Sequence, residues 1–354
     1  MATTKSLRSI TQIVAVGSVD GILTAAALLR IIGNAEVDIV FTQAFTVDKV
    51  DVSAWKPGRC VAFVDLAVNN RGKQMTAALV HRIREAGHEL VAVCDEHSRE
   101  DWAEILGTFE GLVIEPQSQA KGKYRSSGAV LFDAALDDEH LDGPAQMLCF
   151  AANKADRMVF EGVGALVNSA VKSRIADDSR RVYLARHFAQ NVEPDSTIQG
   201  WIKEYEEILR NHEAILAAKQ DLGDGIVRVS AVGKTVDMTT LMRQLYESGA
   251  RIVVCESELF NRGLGRKTKQ VAFGSGDNRL DLLAVIKPSV PTASGFASKA
   301  NVEPEYEQVA LAAIRRTLAP DEPKCPECGN AGGIQGVPGW GPCGTCGREG
   351  RNTV

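Results

Sequence analysis

Short segments that are apolar throughout alternate with helical patterns in the N-terminal part of the chain, and this alternation constrains the fold most. The segments are "TQIVAVG" (11–17), "VDIVFT" (37–42), "RCVAFVDL" (59–66) and "ELVAVCD" (89–95). Runs of this kind predict strands that are buried on both faces. Helical patterns at 19–31 and 72–88 lie between them. The alternation therefore predicts an α/β fold with a parallel sheet covered by helices on both faces.

Acidic residues follow three of these predicted strands. Asp20, Asp65 and Asp95 each come just after an apolar run. The carboxyl ends of parallel strands share one edge of the sheet, where ligands bind in such folds. Taken singly, Asp20 could be only a charge on a helix dipole, and the acids near Asp95 could open a helix capped by Ser98. Together they predict a site at this edge.

The rest of the chain predicts further units. Residues 127–220 have mostly helical patterns, and 196–222 form one long amphipathic helix. Strand and helix patterns alternate again from residue 223 up to a charged, Pro-containing linker near 319–324. The predicted domains are listed in chain order: a first α/β domain (1–195), a connector helix (196–222), a smaller second α/β domain (223–319) and a C-terminal zinc ribbon (320–354).

Charge and hydropathy exclude several classes of partner. The net charge is −5 and the pI is about 5.8. Proteins that coat duplex DNA usually have a basic surface, so this balance favours a short oligonucleotide, a dinucleotide or a small phosphorylated ligand. The chain lacks an apolar run long enough to span a membrane and begins without a secretory signal. A cytoplasmic location is expected.

Four cysteines are clustered near the C-terminus in two C-x2-C pairs. They are Cys325, Cys328, Cys343 and Cys346, within "CPECGNAGGIQGVPGWGPCGTCG". Two such pairs can complete a tetrahedral Zn²⁺ site, and metal binding would supply the folding free energy of a Gly-rich segment this small. Disulfides, which a reducing cytoplasm disfavours, and a disordered tail are the alternatives. The spacing predicts a structural zinc site.

Four short motifs resemble motifs I to IV of the DHH phosphoesterase superfamily. In order they are "VAVGSVDG" (14–21), "VAFVDL" (61–66), "VAVCDEH" (91–97) and "FAANKADRM" (150–158). The superfamily includes RecJ-type exonucleases, oligoribonucleases, cyclic-dinucleotide phosphodiesterases and family II pyrophosphatases. The resemblance covers about residues 10–318, and it implies a DHH-type domain followed by a DHH-associated second domain. The zinc ribbon would be an addition to it.

The resemblance implies a set of metal ligands and catalytic residues. The ligands would be Asp20, Asp65, Glu96 and Asp156, with Asp65 also the catalytic bridging acid and His97 facing the scissile phosphate. Oxygen donors of this kind suit Mg²⁺ or Mn²⁺.

The motifs also depart from the family pattern. Ser18 stands where the first acid of motif I is expected, Val14 and Val16 replace upstream ligands, and Glu96 replaces a histidine. These changes predict one ion rather than two. A carboxylate in place of imidazole should shift the preference towards Mg²⁺.

The second α/β domain departs from the pattern as well. Gly274 stands where the resemblance implies a substrate-binding arginine, and "TASGFASKA" (292–300) replaces a Gly-rich loop. A phosphate cradle and a stacked base are still expected there. A basic patch is expected in "FNRGLGRKTKQ" (260–270), with a solvated hairpin turn as the equal alternative. The candidate substrate-binding residues are Arg262, Arg266, Lys267, Ser294, Gly295, Phe296 and Lys299.

Two functions follow as hypotheses. The first is a divergent DHH-type metal-dependent phosphoesterase that hydrolyses short single-stranded oligonucleotides or dinucleotides. The second is a catalytically inactive DHH-fold accessory protein that binds nucleic acid or nucleotides. Short single-stranded nucleic acid or a nucleotide is the expected ligand in both. The zinc ribbon could bind a protein partner, and the chain could form a homodimer.

Overall fold

The protein divides into two compact units, residues 1–207 and 208–354. The structure is a computed structural model. The residues it describes are 6–43, 46–66, 68, 70–116, 126–261, 266–277, 279–318, 340–342 and 349–351.

The first unit contains a four-stranded sheet that is parallel throughout. Its strands are β1 (Gln12–Val16), β2 (Asp38–Thr42), β3 (Cys60–Val64) and β4 (Glu89–Cys94). The strand order is β2-β1-β3-β4. All four strands begin and end within two residues of the apolar runs in the sequence. The predicted parallel-sheet α/β fold is therefore confirmed.

Helices cover both faces of this sheet. The helices of the first unit are α1 (Val19–Ile32), α2 (Asn70–Glu85), α3 (Arg99–Leu106), α4 (Ser127–Ala134), α5 (Gly143–Ala155), α6 (Val163–Ser173) and α7 (Asp178–Gln190). α8 (Ser196–Ala217) begins in the first unit and ends in the second. α1 is buried along most of its length and packs against α5 and α7. Its run of small side chains at 25–27 allows these helices to approach closely.

The two faces of the sheet bury separate apolar clusters. Ile13 belongs to a cluster with α1, α4 and α5, whereas its neighbour Val14 packs on the other face with Phe63 and Trp102. Successive strand residues point to opposite faces, so a strand buried on both sides must be apolar at every position. This requirement explains the apolar runs. Short 3-10 turns lie at Leu7–Ser9, Val47–Lys49, Val52–Ala54 and, in the second unit, Pro304–Tyr306.

The second unit is built on a six-stranded mixed sheet. Its elements are β5 (Gln220–Asp221), β6 (Ile226–Ser230), α9 (Met238–Glu247), β7 (Ile252–Asn261), β8 (Arg266–Ser275), α10 (Leu282–Ile286), β9 (Ser294–Phe296), β10 (Lys299–Val302) and α11 (Glu307–Leu318). The order is β5-β6-β7-β8-β10-β9. Only the β6–β7 pair is parallel among them. The expected second α/β unit is present, and its sheet is mixed.

Two apolar clusters lie on this sheet. One gathers Ile252, Phe273 and residues of α10 and α11, and the other gathers Val253, Cys255 and residues of α9. The segment 292–300, expected to be a Gly-rich loop, instead forms most of the β9–β10 hairpin.

The C-terminal segment contributes one described pair of strands, β11 (Trp340–Pro342) and β12 (Glu349–Arg351), which are antiparallel. The four cysteines of the predicted zinc ribbon lie outside the described residues. The zinc ribbon and the predicted domain limits stay predictions. In the described part of the chain, every helix is too short or too polar to cross a membrane.

Candidate active site

The candidate site lies at the carboxyl edge of the four-stranded sheet, where three strands end next to each other. β1 leads into Ser18 and Asp20, β3 leads into Asp65, and β4 leads into Asp95. Ser18 is the N-cap of α1, with its hydroxyl accepting the Gly21 N–H, so Asp20 lies in the first helical turn. Ser18 therefore caps α1, and the same loop places Asp20 at the candidate site.

Asp65 has an unusual backbone conformation at the end of β3. Its φ is +58°, in the left-handed region that residues other than glycine rarely adopt. Its N–H donates to the carbonyl of Cys94 at the end of β4 (3.0 Å), and its Oδ2 accepts a 2.7 Å hydrogen bond from the Ser18 hydroxyl. Through its backbone and its carboxylate, Asp65 therefore joins the ends of three strands. Strained residues of this kind are frequent at functional sites.

Gly21 allows the α1 loop to approach Asp65 closely. A Cβ atom at this position would lie 2.3 Å from the carbonyl oxygen of Val16 and 3.2 Å from Oδ2 of Asp65. The first distance is shorter than real Cβ contacts allow. The glycine of the "SVDG" motif is therefore required by packing at the site.

The acidic residues of the four motifs lie close enough to act on each other electrostatically. Burial raises the pKa of Asp20, and the negative charge of Asp156 raises it further. Burial also raises the pKa of Asp65 well above its ordinary value, and the charges of Asp20 and Glu96 add to the effect. Among the described residues, no lysine or arginine pairs with Asp20 or Asp65. The four predicted metal ligands therefore act on each other's charge, although no three of them have ligand atoms within 4.8 Å of one another among the described residues.

The pKa of Glu96 shows that the site is buried and negatively charged. Burial, with the charge of Asp95, raises the pKa of Glu96 to about 8, although the neighbouring His97 opposes the shift. Asp156, which caps the C-terminus of α5, also raises this pKa. A carboxyl group in such surroundings binds a proton at neutral pH unless a cation supplies positive charge.

His97 is held by Asp95. Oδ2 of Asp95 lies 2.9 Å from Nδ1 of His97 and also accepts the backbone N–H of that residue at 3.1 Å. The hydrogen bond to Asp95 raises the pKa of His97 to about 9. The imidazole is therefore protonated at neutral pH, and its orientation leaves Nε2 as the nitrogen not engaged by Asp95.

The sequence reasoning missed the residue that anchors Asp95. The indole Nε1 of Trp102, on α3, donates a 2.7 Å hydrogen bond to Oδ2 of Asp95. Both side chains are fully buried. The only signal in the sequence was an aromatic residue in a short amphipathic helix, which is typical of core packing.

Asp95, Glu96 and His97 are the one group of possible metal ligands that the described residues bring close together. Atoms of Asp95, Glu96 and His97 lie within 4.8 Å of one another, but the Asp95 carboxylate is already engaged by Trp102 and His97. We therefore assign Asp95 to orientation rather than to metal binding. The remaining carboxylates of Asp20, Asp65, Glu96 and Asp156 are hard oxygen donors of the kind that Mg²⁺ and Mn²⁺ prefer.

A second missed residue, Arg181, secures the motif I loop. Its Nε donates to the carbonyl oxygen of Gly17 at 2.9 Å, and its Nη1 bonds Asp178 at 2.8 Å. A Cβ atom at Gly17 would lie 2.4 Å from that Nε. Since 164 residues separate the two partners, no local pattern in the sequence could reveal this contact.

The predicted basic patch of the second unit is divided between two faces of the β7–β8 ribbon. Arg266 and Lys267 are exposed but adjacent in β8, so their side chains point to opposite faces. Lys269 shares a face with Lys267, pairs across the strands with Glu258, and approaches Glu256 at 3.4 Å. Arg262 lies outside the described residues. Glu256 and Glu258 therefore offset part of the positive charge of this patch.

The hairpin β9–β10 carries the other predicted substrate contacts. Phe296 is 61% exposed, and Ser294 and Gly295 are exposed beside it, while Lys299 is partly buried. Gly295 has a φ of +136°, and a Cβ there would lie 2.1 Å from the Lys299 carbonyl. The glycine is needed for strand pairing, because most of the segment is paired in the hairpin instead of forming an open loop.

Tyr246 explains the missing arginine at Gly274. Its hydroxyl oxygen lies 2.4 Å from where a Cβ of residue 274 would be, and its ring is 3.1 Å from the same position at Gly276. Tyr246 thus fills the space that a side chain at 274 would need. Packing within the second unit therefore accounts for the glycine at position 274.

A cavity of about 620 Å³ lies elsewhere in the first unit, beside the C-terminus of α1 at Gly33. Its two arginines are already engaged. Arg30 makes hydrogen bonds to both carboxylate oxygens of Asp142, and Arg186 donates to the carbonyl oxygens of residues 35 and 37. The candidate site remains the carboxylate cluster at the carboxyl edge.

This chain resembles known proteins in its structure, whereas comparison of its sequence finds no match. Neither protein-family models nor curated protein sequences match this chain. The pGpG-specific phosphodiesterase PggH from Vibrio cholerae matches with a TM-score of 0.56 and 12% identity, over 87% of this chain and 98% of that one. RecJ from Thermus thermophilus, in complex with Mn²⁺, matches with a TM-score of 0.51 and 12% identity, over 87% of this chain and 52% of RecJ. The resemblance predicted from the motifs is confirmed as a likeness of fold.

Proposed function

We propose that this chain, which has the fold of the DHH phosphoesterases, is a divergent metal-dependent phosphoesterase. It would hydrolyse phosphodiester bonds in short single-stranded oligonucleotides or dinucleotides. One observation carries the proposal: Asp20, Asp65, Glu96 and Asp156 influence each other's charge at one edge of the sheet, beside a protonated His97. The relatives by fold include a pGpG-specific phosphodiesterase and RecJ bound to Mn²⁺, which is consistent with this chemistry.

The four carboxylates would hold one divalent cation, Mg²⁺ or Mn²⁺. When bound, the cation would polarise a phosphoryl oxygen and lower the pKa of a water molecule. Asp65 would bind the cation from a fixed position, because Ser18 holds one of its oxygens and its backbone joins β3 to β4. These residues set where the reacting phosphate would lie.

His97 would supply the proton for the leaving oxygen, or bind the phosphate while charged. Its imidazolium form is stabilised by Asp95, which in turn is held by Trp102. A general acid is most effective when it is protonated at the working pH and correctly oriented. We assign the catalytic role to His97 and the orienting role to Asp95.

The second unit would itself bind nucleic acid or a nucleotide. Phe296 offers an exposed ring on which a base could stack. Lys299, Arg266 and Lys267 would contribute positive charge, as would Arg262, and the backbone near Ser294 and Gly295 would approach a phosphate. Each of these contacts remains a prediction.

A matched pair of aspartate variants tests the proposal. Asp65 and Asp224 both have a φ near +58°, and asparagine tolerates this conformation well. Hydrolysis of bis-p-nitrophenyl phosphate, pGpG and labelled short oligonucleotides is measured with Mg²⁺ or Mn²⁺. We expect Asp65→Asn to lower turnover by roughly a hundredfold or more, and Asp224→Asn to leave it unchanged.

The alternative is a catalytically inactive protein that binds nucleic acid or nucleotides. Two observations favour it: a serine hydroxyl occupies the position of the first motif I acid, and Tyr246 fills the space of the missing arginine. The same assays distinguish the two functions. Absence of turnover on every substrate, together with measurable binding of single-stranded oligonucleotides, would support the alternative.

We also propose that Cys325, Cys328, Cys343 and Cys346 bind one structural Zn²⁺. The support is their spacing alone. Elemental analysis of the purified chain should show one zinc per molecule, and replacing Cys343 and Cys346 with serine should abolish it. A protein partner of this ribbon, homodimer formation and a cytoplasmic location stay predictions.

A further inference from the structure

The hydroxyl of Ser18 already uses its only proton in a hydrogen bond to Asp65. It donates its single proton to Oδ2 of Asp65 at 2.7 Å and accepts the N–H of Gly21 at 3.0 Å. A serine hydroxyl has one hydrogen to donate, so one oxygen of Asp65 is satisfied by a neutral donor. This hydrogen bond occupies one lone pair of Oδ2 and lowers the electron density that the oxygen can offer to a second divalent cation.

The other side chains of the loop offer no replacement. Val16, at the end of β1, has an apolar side chain, and Val14 is buried among Phe63 and other apolar residues of the sheet. Ligands for a hard cation are oxygen donors. On this side of Asp65, the motif I segment therefore provides one hydroxyl and no carboxylate before Asp20.

A fixed positive charge lies on the same side. Nε of Arg181 bonds the carbonyl oxygen of Gly17, which belongs to the peptide bond that leads into Ser18. The guanidinium group is buried and bonds Asp178 and the carbonyl of Ile175 as well. Asp178 offsets part of this charge, and the remainder disfavours a second cation at the loop.

We propose that Ser18 closes the position of a second cation, with Arg181 supplying positive charge beside it, so that Asp65 binds one ion as a terminal ligand. The inference rests on the proposed function, because it assumes that a cation binds the carboxylate cluster at all. It makes this chain a one-ion variant of a site that the resemblance implies to hold two.

Electron paramagnetic resonance during titration with Mn²⁺ tests the inference on the full chain, with zinc supplied first to the C-terminal cysteines. Free Mn²⁺ gives the number of ions bound, and two adjacent ions give an exchange-coupled spectrum. Three proteins are compared: wild type, Ser18→Ala and Ser18→Asp. Aspartate is also a good N-cap, so the start of α1 should be preserved, and circular dichroism checks this.

We expect one Mn²⁺ with an uncoupled spectrum in the wild type and in Ser18→Ala, and a second, coupled ion in Ser18→Asp. A coupled pair in the wild type would overturn the inference and leave the phosphoesterase proposal standing. A single ion in folded Ser18→Asp would also overturn it, since Ser18 would then not be what excludes the second ion. No bound Mn²⁺ in any of the proteins would overturn both the inference and the metal-dependent function.

Discussion

The indole of Trp102 donates a hydrogen bond of 2.7 Å to Oδ2 of Asp95, and neither side chain is exposed to solvent. The same carboxylate accepts two hydrogen bonds from His97. Trp102 therefore acts on His97 through Asp95, and we describe it as a positioning residue.

Replacing Trp102 with phenylalanine should destabilise the fold by removing this donor. The ring would still fill most of the space, but the buried carboxylate would lose one partner. The cost of such a loss is about 1–3 kcal/mol in the free energy of unfolding, which denaturation in urea measures. Trp55→Phe is the control, because Trp55 is partly exposed and makes a tilted ring contact with His88. Equal losses in the two variants would show that the hydrogen bond is unimportant.

Replacing Glu96 with glutamine should stabilise the protein without added Mg²⁺ or Mn²⁺, and more so at higher pH. The pKa of Glu96 rises from 4.5 to about 8 on folding, so between these values the folded state binds more protons than the unfolded state. Stability from this group therefore falls as pH rises towards 8. One pKa unit corresponds to about 1.4 kcal/mol, so the difference should reach a few kcal/mol.

Urea denaturation at pH 5 and pH 8 measures the effect of Glu96→Gln. Exposed Glu110 provides the control, as Glu110→Gln. The prediction is wrong if the gain in stability from Glu96→Gln is the same at both pH values.

Binding of Mn²⁺ should release a proton from Glu96 at neutral pH. Because the pKa of Glu96 is about 8 in the metal-free protein, an ion that binds this carboxylate at pH 7 displaces a proton. Affinity should rise with pH, by up to about tenfold per unit, until pH 8. Calorimetry in two buffers of different ionisation enthalpy counts the protons. Binding without proton release would place the ion away from Glu96.

Replacing Gly21 with alanine should damage the site. The new Cβ would lie 2.3 Å from the backbone oxygen of Val16, which cannot move without displacing the loop. We expect a loss of roughly 1–3 kcal/mol in the free energy of unfolding together with weaker Mn²⁺ binding. Gly164, near the start of α6, is the matched control, since its nearest neighbour would be 3.9 Å away. Gly164→Ala should keep full stability and Mn²⁺ affinity.

Periodicity and strand ends were sufficient to predict the sheet and the acidic residues at its carboxyl edge, whereas the roles of Glu96, His97 and Asp156 came from the resemblance to a family. Strands buried on both faces must be apolar throughout, so β1 to β4 were visible in the chain. Because parallel strands end at one edge, Asp20 and Asp65 could be placed together before any coordinates were known.

Other relationships depend on how distant segments pack. The contact of Arg181 with Gly17, the hydrogen bond of Trp102 to Asp95 and the filling of space by Tyr246 leave no local pattern. The pKa of Glu96 depends on burial and on charges brought close by folding. Sequence patterns report which backbone conformation a segment prefers and which face it buries. The direction of a side chain, its partners and its solvation are set by neighbours that only the folded chain brings together.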